Sequence, residues 1–216
     1  MAQGLPSGCT AAPLRAALRE MAPAGLQVGC RAIRDGDEGR LLPEERQVIT
    51  TRDRFARRAS GAARHLARAL LADLGHAGVA IGRRPSGCPV WPEGIVGSLA
   101  HDAHMAVAAV GRGAHFRGIG IDVEPAEPLP EDVAALARSV GDRLAGASPE
   151  LAGRLLFALK EACYKAVYPR DGVMLEFQDI AVDLPAGRAT TRTGHAVRLY
   201  WRETPRVVAL AVVVSA

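Results

Sequence analysis

The sequence predicts an α+β protein built as two halves of similar size in one chain. Three observations lead there. Signals for helices and strands run as one mixed block and then repeat as a second mixed block. The proline-rich stretch Pro125 to Pro130 interrupts the chain after the strands that open the second block. A chain of 216 residues can bury a full core as one large domain or two small ones. The halves are placed at residues 1–115 and 116–216. No sequence repeat marks them as a duplication.

The elements follow in order. Leu14 and Leu18 at helical spacing predict an amphipathic helix over 10–22. Gly25 to Ile33 reads as a strand. Pro43-Glu44-Glu45-Arg46 has the look of a helix start, with proline in the first turn. One long helix is expected from Glu44 to Leu74, ending at Gly75. Its apolar side carries Phe55, Leu66, Leu70 and Leu74, and arginines crowd the rest, among them Arg57, Arg64 and Arg68. Gly and Pro punctuation makes 85–94 a loop. Strands are expected at 95–100, 106–110 and 119–123, helices at 131–145 and 149–168, and strands at 174–183, 195–202 and 206–214.

Composition is that of an ordinary globular protein, 49% hydrophobic and 23% charged. A net charge of +4 suits anionic ligands or acidic partner proteins. Cys9, Cys30, Cys88 and Cys163 show no paired spacing and read as free thiols in a reducing cytoplasm. No signal peptide is evident, and the apolar run 207–216 is too short to span a bilayer. It reads as a buried terminal strand. An aromatic content of 4% leaves few platforms for stacking bases, so the arginine-rich helix is not read as a nucleic-acid site.

The chain has only two lysines, Lys160 and Lys165, in one short segment, and every other basic side chain is arginine. A lysine retained under that bias marks a position where a guanidinium will not serve. An ammonium is compact and can release a proton. Glu161 and Lys165 are an i,i+4 pair, which by itself is a simple helix salt bridge. Asp122 and Glu124 leave the same face of a strand, with Ile119, Ile121 and Val123 on the other. Two adjacent carboxylates suit a hard divalent cation, and Mg2+ keeps positions for water and substrate phosphates. An isolated pair of this kind is usually two solvated acids. The flanking Gly118, Gly120 and Pro125, with Glu161 as a third acid, favour a site. Arg83 and Arg84 open a rigid loop leading to Ser98 and His101, where hydroxyl, imidazole and backbone amides could meet phosphate oxygens. His101 and His104 form an H-x-x-H pair without further His or Cys at matching spacing, so zinc is not expected.

Three of these segments, in order, are W-P-x-G-x-x-G-S-x-x-H from Trp91 to His101, G-x-D-x-E from Gly120 to Glu124, and K-E-x-x-Y-K from Lys160 to Lys165. Together they resemble the 4′-phosphopantetheinyl transferases of the larger, single-chain type, and the resemblance spans residues 50–185. It implies two pseudo-symmetric halves with coenzyme A in the cleft between them. It implies transfer of the 4′-phosphopantetheine arm to a serine of an acyl or peptidyl carrier protein, releasing adenosine 3′,5′-bisphosphate. Asp122, Glu124 and Glu161 match magnesium-binding acids, with Mn2+ an alternative, and Glu161 also matches the general base. Lys160 and Lys165 match the motif lysines, Lys165 near the pyrophosphate. Ser98 and His101 match residues near the coenzyme phosphates, and Arg83, Arg57 and Arg64 match basic residues at the nucleotide end. Ala100 and Asp102 depart from the pattern, with one hydrogen bond lost and one charge added beside the coenzyme. A cytoplasmic monomer without membrane or nucleic-acid partners is expected, serving polyketide, nonribosomal-peptide or fatty-acid carriers. The rival readings are an idle relative that binds coenzyme A or a carrier, a Mg2+-dependent nucleotide pyrophosphohydrolase, and an arginine-helix nucleic-acid binder, which would show steep salt dependence and no need for Mg2+.

Overall fold

The structure is a computed structural model and describes residues 11–214. Cys9, Thr10 and the last two residues of the apolar terminal run lie outside the described residues. Helix α1 (Ala11–Met21) buries Leu14, Leu18 and Met21 on one stripe, as the spacing predicts. Strand β1 (Gln27–Ala32) follows.

The single long helix expected from Glu44 to Leu74 is two helices, α2 (Pro43–Val48) and α3 (Arg54–Ala72). Proline sits at the first position of α2, and the Glu45 carboxylate accepts the Leu42 N–H at 2.9 Å. The β-branched run Val48-Ile49-Thr50-Thr51 is poor helix material. Asp53 then caps α3, its side chain accepting the Phe55 N–H at 2.9 Å.

The loop expected at 85–94 contains half of a small hairpin, β2 (Gly82–Arg83) with β3 (Pro89–Val90). Strands β4 (Ile95–His101), β5 (Met105–Arg112) and β6 (Phe116–Glu124) extend the predicted ones by a few residues. Helix α4 covers only Glu131–Ala137, shorter than expected, and α5 runs Ala152–Asp171. A left-handed glycine, Gly172 at φ 68°, closes α5. The strand expected at 174–183 is a 3₁₀ turn at Phe177–Asp179 and a short β7 (Ile180–Asp183). Its partner β8 (Arg188–Thr191) was not foreseen. Strands β9 (Ala196–Arg202) and β10 (Val207–Val214) complete the fold.

Two antiparallel sheets result, β1-β5-β4 and β6-β10-β9-β8-β7. Alternation assigns their faces. In the first sheet, Ala108 and Val110 pack under Ala67 and Leu71 of α3. In the second, Ala209 and Ala211 of β10 pack under Leu155, Leu159 and Ala162 of α5. The inward faces share one core with α1: Val107 and Ala109 of β5 meet Ile119 and Ile121 of β6, with Val208, Leu210 and Val212 of β10. Each sheet thus carries one long helix outside, and the sheets bury a common interior between them. No described helix is long and apolar enough to cross a membrane.

Candidate functional site

The site begins with two glycines. Gly118 and Gly120 of β6 stand on the face turned to α5, the face that also carries Asp122 and Glu124. A Cβ on Gly120 would lie 1.8 Å from the Ala162 carbonyl oxygen, and one on Gly118 would lie 2.2 Å from that of Ala166. Only hydrogen fits there, so α5 lies directly on β6. That approach brings two residues of α5 to Asp122. Lys165 Nζ donates to Asp122 Oδ1 at 2.6 Å and stands 4.0 Å from Glu161 Oε2. The i,i+4 contact is therefore the weaker one, and the lysine serves mainly the strand acid.

Asp122 is 6% exposed, and its second oxygen, Oδ2, is buried without a hydrogen-bond partner. Burial pushes its pKa up to about 6, against the lowering effect of Lys165, while Glu161 adds to the rise. Burial, with Asp122 beside it, also raises Glu124. Glu124 Oε2 accepts from Arg154 Nη1 at 2.8 Å. Arg154 also donates to the carbonyls of Glu127 and Pro128, which ties the proline-rich loop to α5.

Among the described residues no three His, Cys, Asp or Glu side chains converge closely enough to hold a metal by themselves. The Lys165 ammonium stands between Asp122 and Glu161, and Glu124 is turned to Arg154. The donor set still suits Mg2+, which needs only one or two carboxylates when a substrate phosphate and waters complete its shell. Asp122 Oδ2, buried and without a partner, is the carboxylate oxygen that a cation would satisfy.

Lys160 does not join this group. Its side chain is wholly buried on another side of α5, donating to Ser139 Oγ at 3.0 Å, Asp142 Oδ2 at 2.8 Å and the Phe177 carbonyl at 2.9 Å. Three acceptors around one compact ammonium explain why arginine does not stand there. Its role in the structure is to hold the turn after α4.

One cavity lies along the seam between the sheets, and a second lies beside it between α3, the β2–β3 hairpin and β4. The first, of about 370 Å³, is lined by Ser98 and Lys165 with the apolar surfaces of Trp91, Tyr164 and Tyr168. The other, of about 400 Å³, receives Arg64, Arg83 and His101. Gly87, Pro89 and Leu99 line both, so the two spaces adjoin. Arg64 is buried, and its Nε donates to the Ile81 carbonyl at 2.9 Å. Burial lowers its pKa; the Glu45 charge opposes this, and the nearby charges of Arg83 and Arg68 act with burial. Such a concentration of positive charge is suited to an anion. His101 ends β4 next to Phe55, their ring centroids 6.1 Å apart. Although its edge is exposed, protein atoms crowding the ring lower its pKa, and Lys165 acts in the same sense. Arg57 is exposed near the start of α3 and lines neither cavity.

The extra charge expected from Asp102 is already neutralised. Its Oδ1 accepts the N–H groups of His104 and Met105, each at 2.7 Å, and its Oδ2 accepts from Arg206 Nη1. Ala100 is buried in the core between the sheets. Arg154 and Arg206 were not foreseen. Arg154 carried a signal, since 154, 161 and 165 share a helix face. Arg206 carried none, because its partner lies 104 positions away in sequence.

Comparison with known proteins bears on the same segments. A model of the 4′-phosphopantetheinyl transferase N-terminal domain matches residues 44–111, and one of the 4′-phosphopantetheinyl transferase superfamily matches residues 118–213. The 4′-phosphopantetheinyl transferase Npt of Nocardia iowensis is 37% identical over 177 residues, 80% of this chain and 79% of that protein. Svp of Streptomyces mobaraensis, also a 4′-phosphopantetheinyl transferase, is 43% identical over 119 residues, 51% of this chain and 48% of its own. PptT of Mycobacterium tuberculosis, of the same description, is 37% identical over 142 residues, 64% and 63% of the two chains.

Proposed function

Since the chain belongs to the 4′-phosphopantetheinyl transferase superfamily, we propose that the seam between its sheets is where the transfer takes place. The protein is a transferase that moves 4′-phosphopantetheine from coenzyme A to carrier proteins. The observation that carries the site assignment is the buried Asp122–Lys165 pair with its unpartnered carboxylate oxygen, its Lys165 lining the same cavity as Ser98.

In this reading residues 1–115 and 116–216 grip opposite parts of coenzyme A. Arg64 and Arg83, with the exposed Arg57 of the same helix as Arg64, hold the phosphate at the nucleotide end. Ser98 and His101 face the pyrophosphate. Asp122 would hold Mg2+, or Mn2+ in its place, with Glu124 and Glu161 on the acidic side. The metal, when bound, supplies positive charge for the pyrophosphate and the leaving bisphosphate. Glu161, one-third exposed, takes the proton from the incoming serine hydroxyl, directly or through water. The serine oxygen then bonds to phosphorus as the bond to adenosine 3′,5′-bisphosphate breaks, and Lys165 stabilises the departing oxygen. Lys160 acts by keeping α5 and the turn after α4 in register. The enzyme works as a cytoplasmic monomer on carriers of polyketide, nonribosomal-peptide or fatty-acid assembly.

The protein should be incubated with coenzyme A, Mg2+ and an apo carrier protein, and the carrier weighed intact. The expected outcome is a gain of one phosphopantetheine unit, release of adenosine bisphosphate, and loss of both on chelation with the fold unchanged by circular dichroism. Transfer that persists at full rate in excess chelator would remove the metal from the scheme. Hydrolysis of coenzyme A without carrier modification would favour the pyrophosphohydrolase reading.

A further inference from the structure

The ion pair between Asp102 and Arg206 has no part in the chemistry just described, yet it joins the two sides of the cleft. On the first sheet, Asp102 directly follows His101. Its Oδ1 closes the turn between β4 and β5 by accepting the His104 and Met105 amides at 2.7 Å each, and its own N–H donates to the Met105 carbonyl at 3.0 Å. On the second sheet, Arg206 immediately precedes β10, and the next residue, Val207, is the register partner of Glu124. The Arg206 Nη1 donates to Asp102 Oδ2, with side chains 14% and 5% exposed. The pair thus links the tip of the hairpin that carries His101 to the start of β10, beside the end of β6 that carries Asp122 and Glu124.

We infer that Asp102 and Arg206 form a positioning pair that fixes the spacing between the His101 side and the acid side of the cleft, so that one ligand can reach both. This rests on the reading of the cleft as the coenzyme A site. Two physical points favour such a role over simple surface pairing. Asp102 uses both oxygens, one for its own sheet and one for the other, so the turn cannot shift without straining the link. The pair is also largely dry, so its charges are screened little and hold their geometry more firmly than an exposed pair would. Charge balance acts in the same direction. Without Arg206, the Asp102 carboxylate would stand uncompensated near Glu124, whose pKa it already helps to raise.

The test uses Asp102→Asn, Arg206→Met and the double variant. Asparagine keeps an oxygen for the two turn amides but turns its NH2 donor towards Arg206, so both the ionic link and its hydrogen bond are lost. Coenzyme A affinity is measured by calorimetry, without carrier, and steady-state transfer is measured alongside. Asp102→Asn should stay folded, with a coenzyme A Kd weakened about tenfold, KM following Kd, and kcat per bound coenzyme much less affected; the double variant should be no worse than either single one, the sign of a coupled pair. A single variant with wild-type affinity, or two losses that multiply in the double variant, would overturn the inference. If Arg206→Met does not fold, Asp102→Asn decides alone. A wild-type protein that modifies carriers while Asp102→Asn binds normally would sink this inference and leave the transferase reading standing. A wild-type protein that binds no coenzyme A would sink both.

Discussion

Asp122 shows how burial and function oppose each other at a single residue. Its carboxyl is raised from 3.8 to about 6 by burial, so the folded protein keeps a proton there that the unfolded chain has already released. The stability this supplies is complete below the unfolded value and is lost as pH rises through about 6. Activity runs the other way if the ionised form is needed, falling on the acid side, with a bound Mg2+ holding the carboxylate ionised to lower pH than in the free protein. Asp122→Asn is therefore expected to unfold at a higher denaturant concentration than wild type near neutral pH, with the gap closing towards about pH 4, and to lose turnover by about a hundredfold or more. Equal stability at both pH values, or turnover near wild type, would contradict this. The two lysines make a related point. Their rarity flagged both positions, but for different reasons: Lys165 faces an acid in the cleft, and Lys160 fills a closed three-acceptor site in the interior.

At the scale of elements, the site depends on how closely α5 lies on β6. Gly118 and Gly120 permit the approach, and the helix then delivers Glu161 and Lys165 to Asp122. Gly120→Ala would set a methyl group against the Ala162 carbonyl, so the helix must lift. A loss of about 3 kcal/mol in denaturant unfolding is expected, at the upper end of overpacking costs. The variant should also lose activity beyond what the unfolded fraction explains, because Lys165 moves with the helix. A variant of wild-type stability would show that the helix has room to retreat. These glycines were legible in sequence as neighbours of the acids, but not as the reason the acids meet α5. The break between α2 and α3 was legible too, in Val48 to Thr51 followed by Asp53, though the continuous arginine pattern concealed it. Strand β8 was not legible, since Arg188-Ala189-Thr190-Thr191 is short and offers only two residues, Ala189 and Thr191, to the interior.

The molecule as a whole is tied together by the core its sheets share. Val107 and Ala109 from one sheet and Ile119, Ile121, Val208 and Leu210 from the other bury each other's surface. Cutting the chain between the halves would expose that surface on both pieces. Each apolar side chain returned to water costs about 1.5–3 kcal/mol, and a domain's whole stability is only about 5–15 kcal/mol. The full chain is thus expected to unfold in one cooperative transition, with fluorescence and circular dichroism coinciding, and a fragment of residues 1–115 to be unfolded alone. Two separated transitions, or a cooperatively folded fragment, would show that the halves are independent domains.

The sequence by itself determined the α+β class, the order of most elements, the three motif segments and the family they resemble. These are local properties: hydrophobic period, caps, turn residues and short spacings. Only the tertiary structure decided which charges meet. It turned Lys165 towards Asp122 and left Lys160 in the interior, paired Glu124 with Arg154, left Arg57 exposed and outside both cavities, and neutralised Asp102 with an arginine from the far end of the chain. Each of those outcomes depends on distances between residues far apart in sequence, which are fixed only once the sheets and helices have packed.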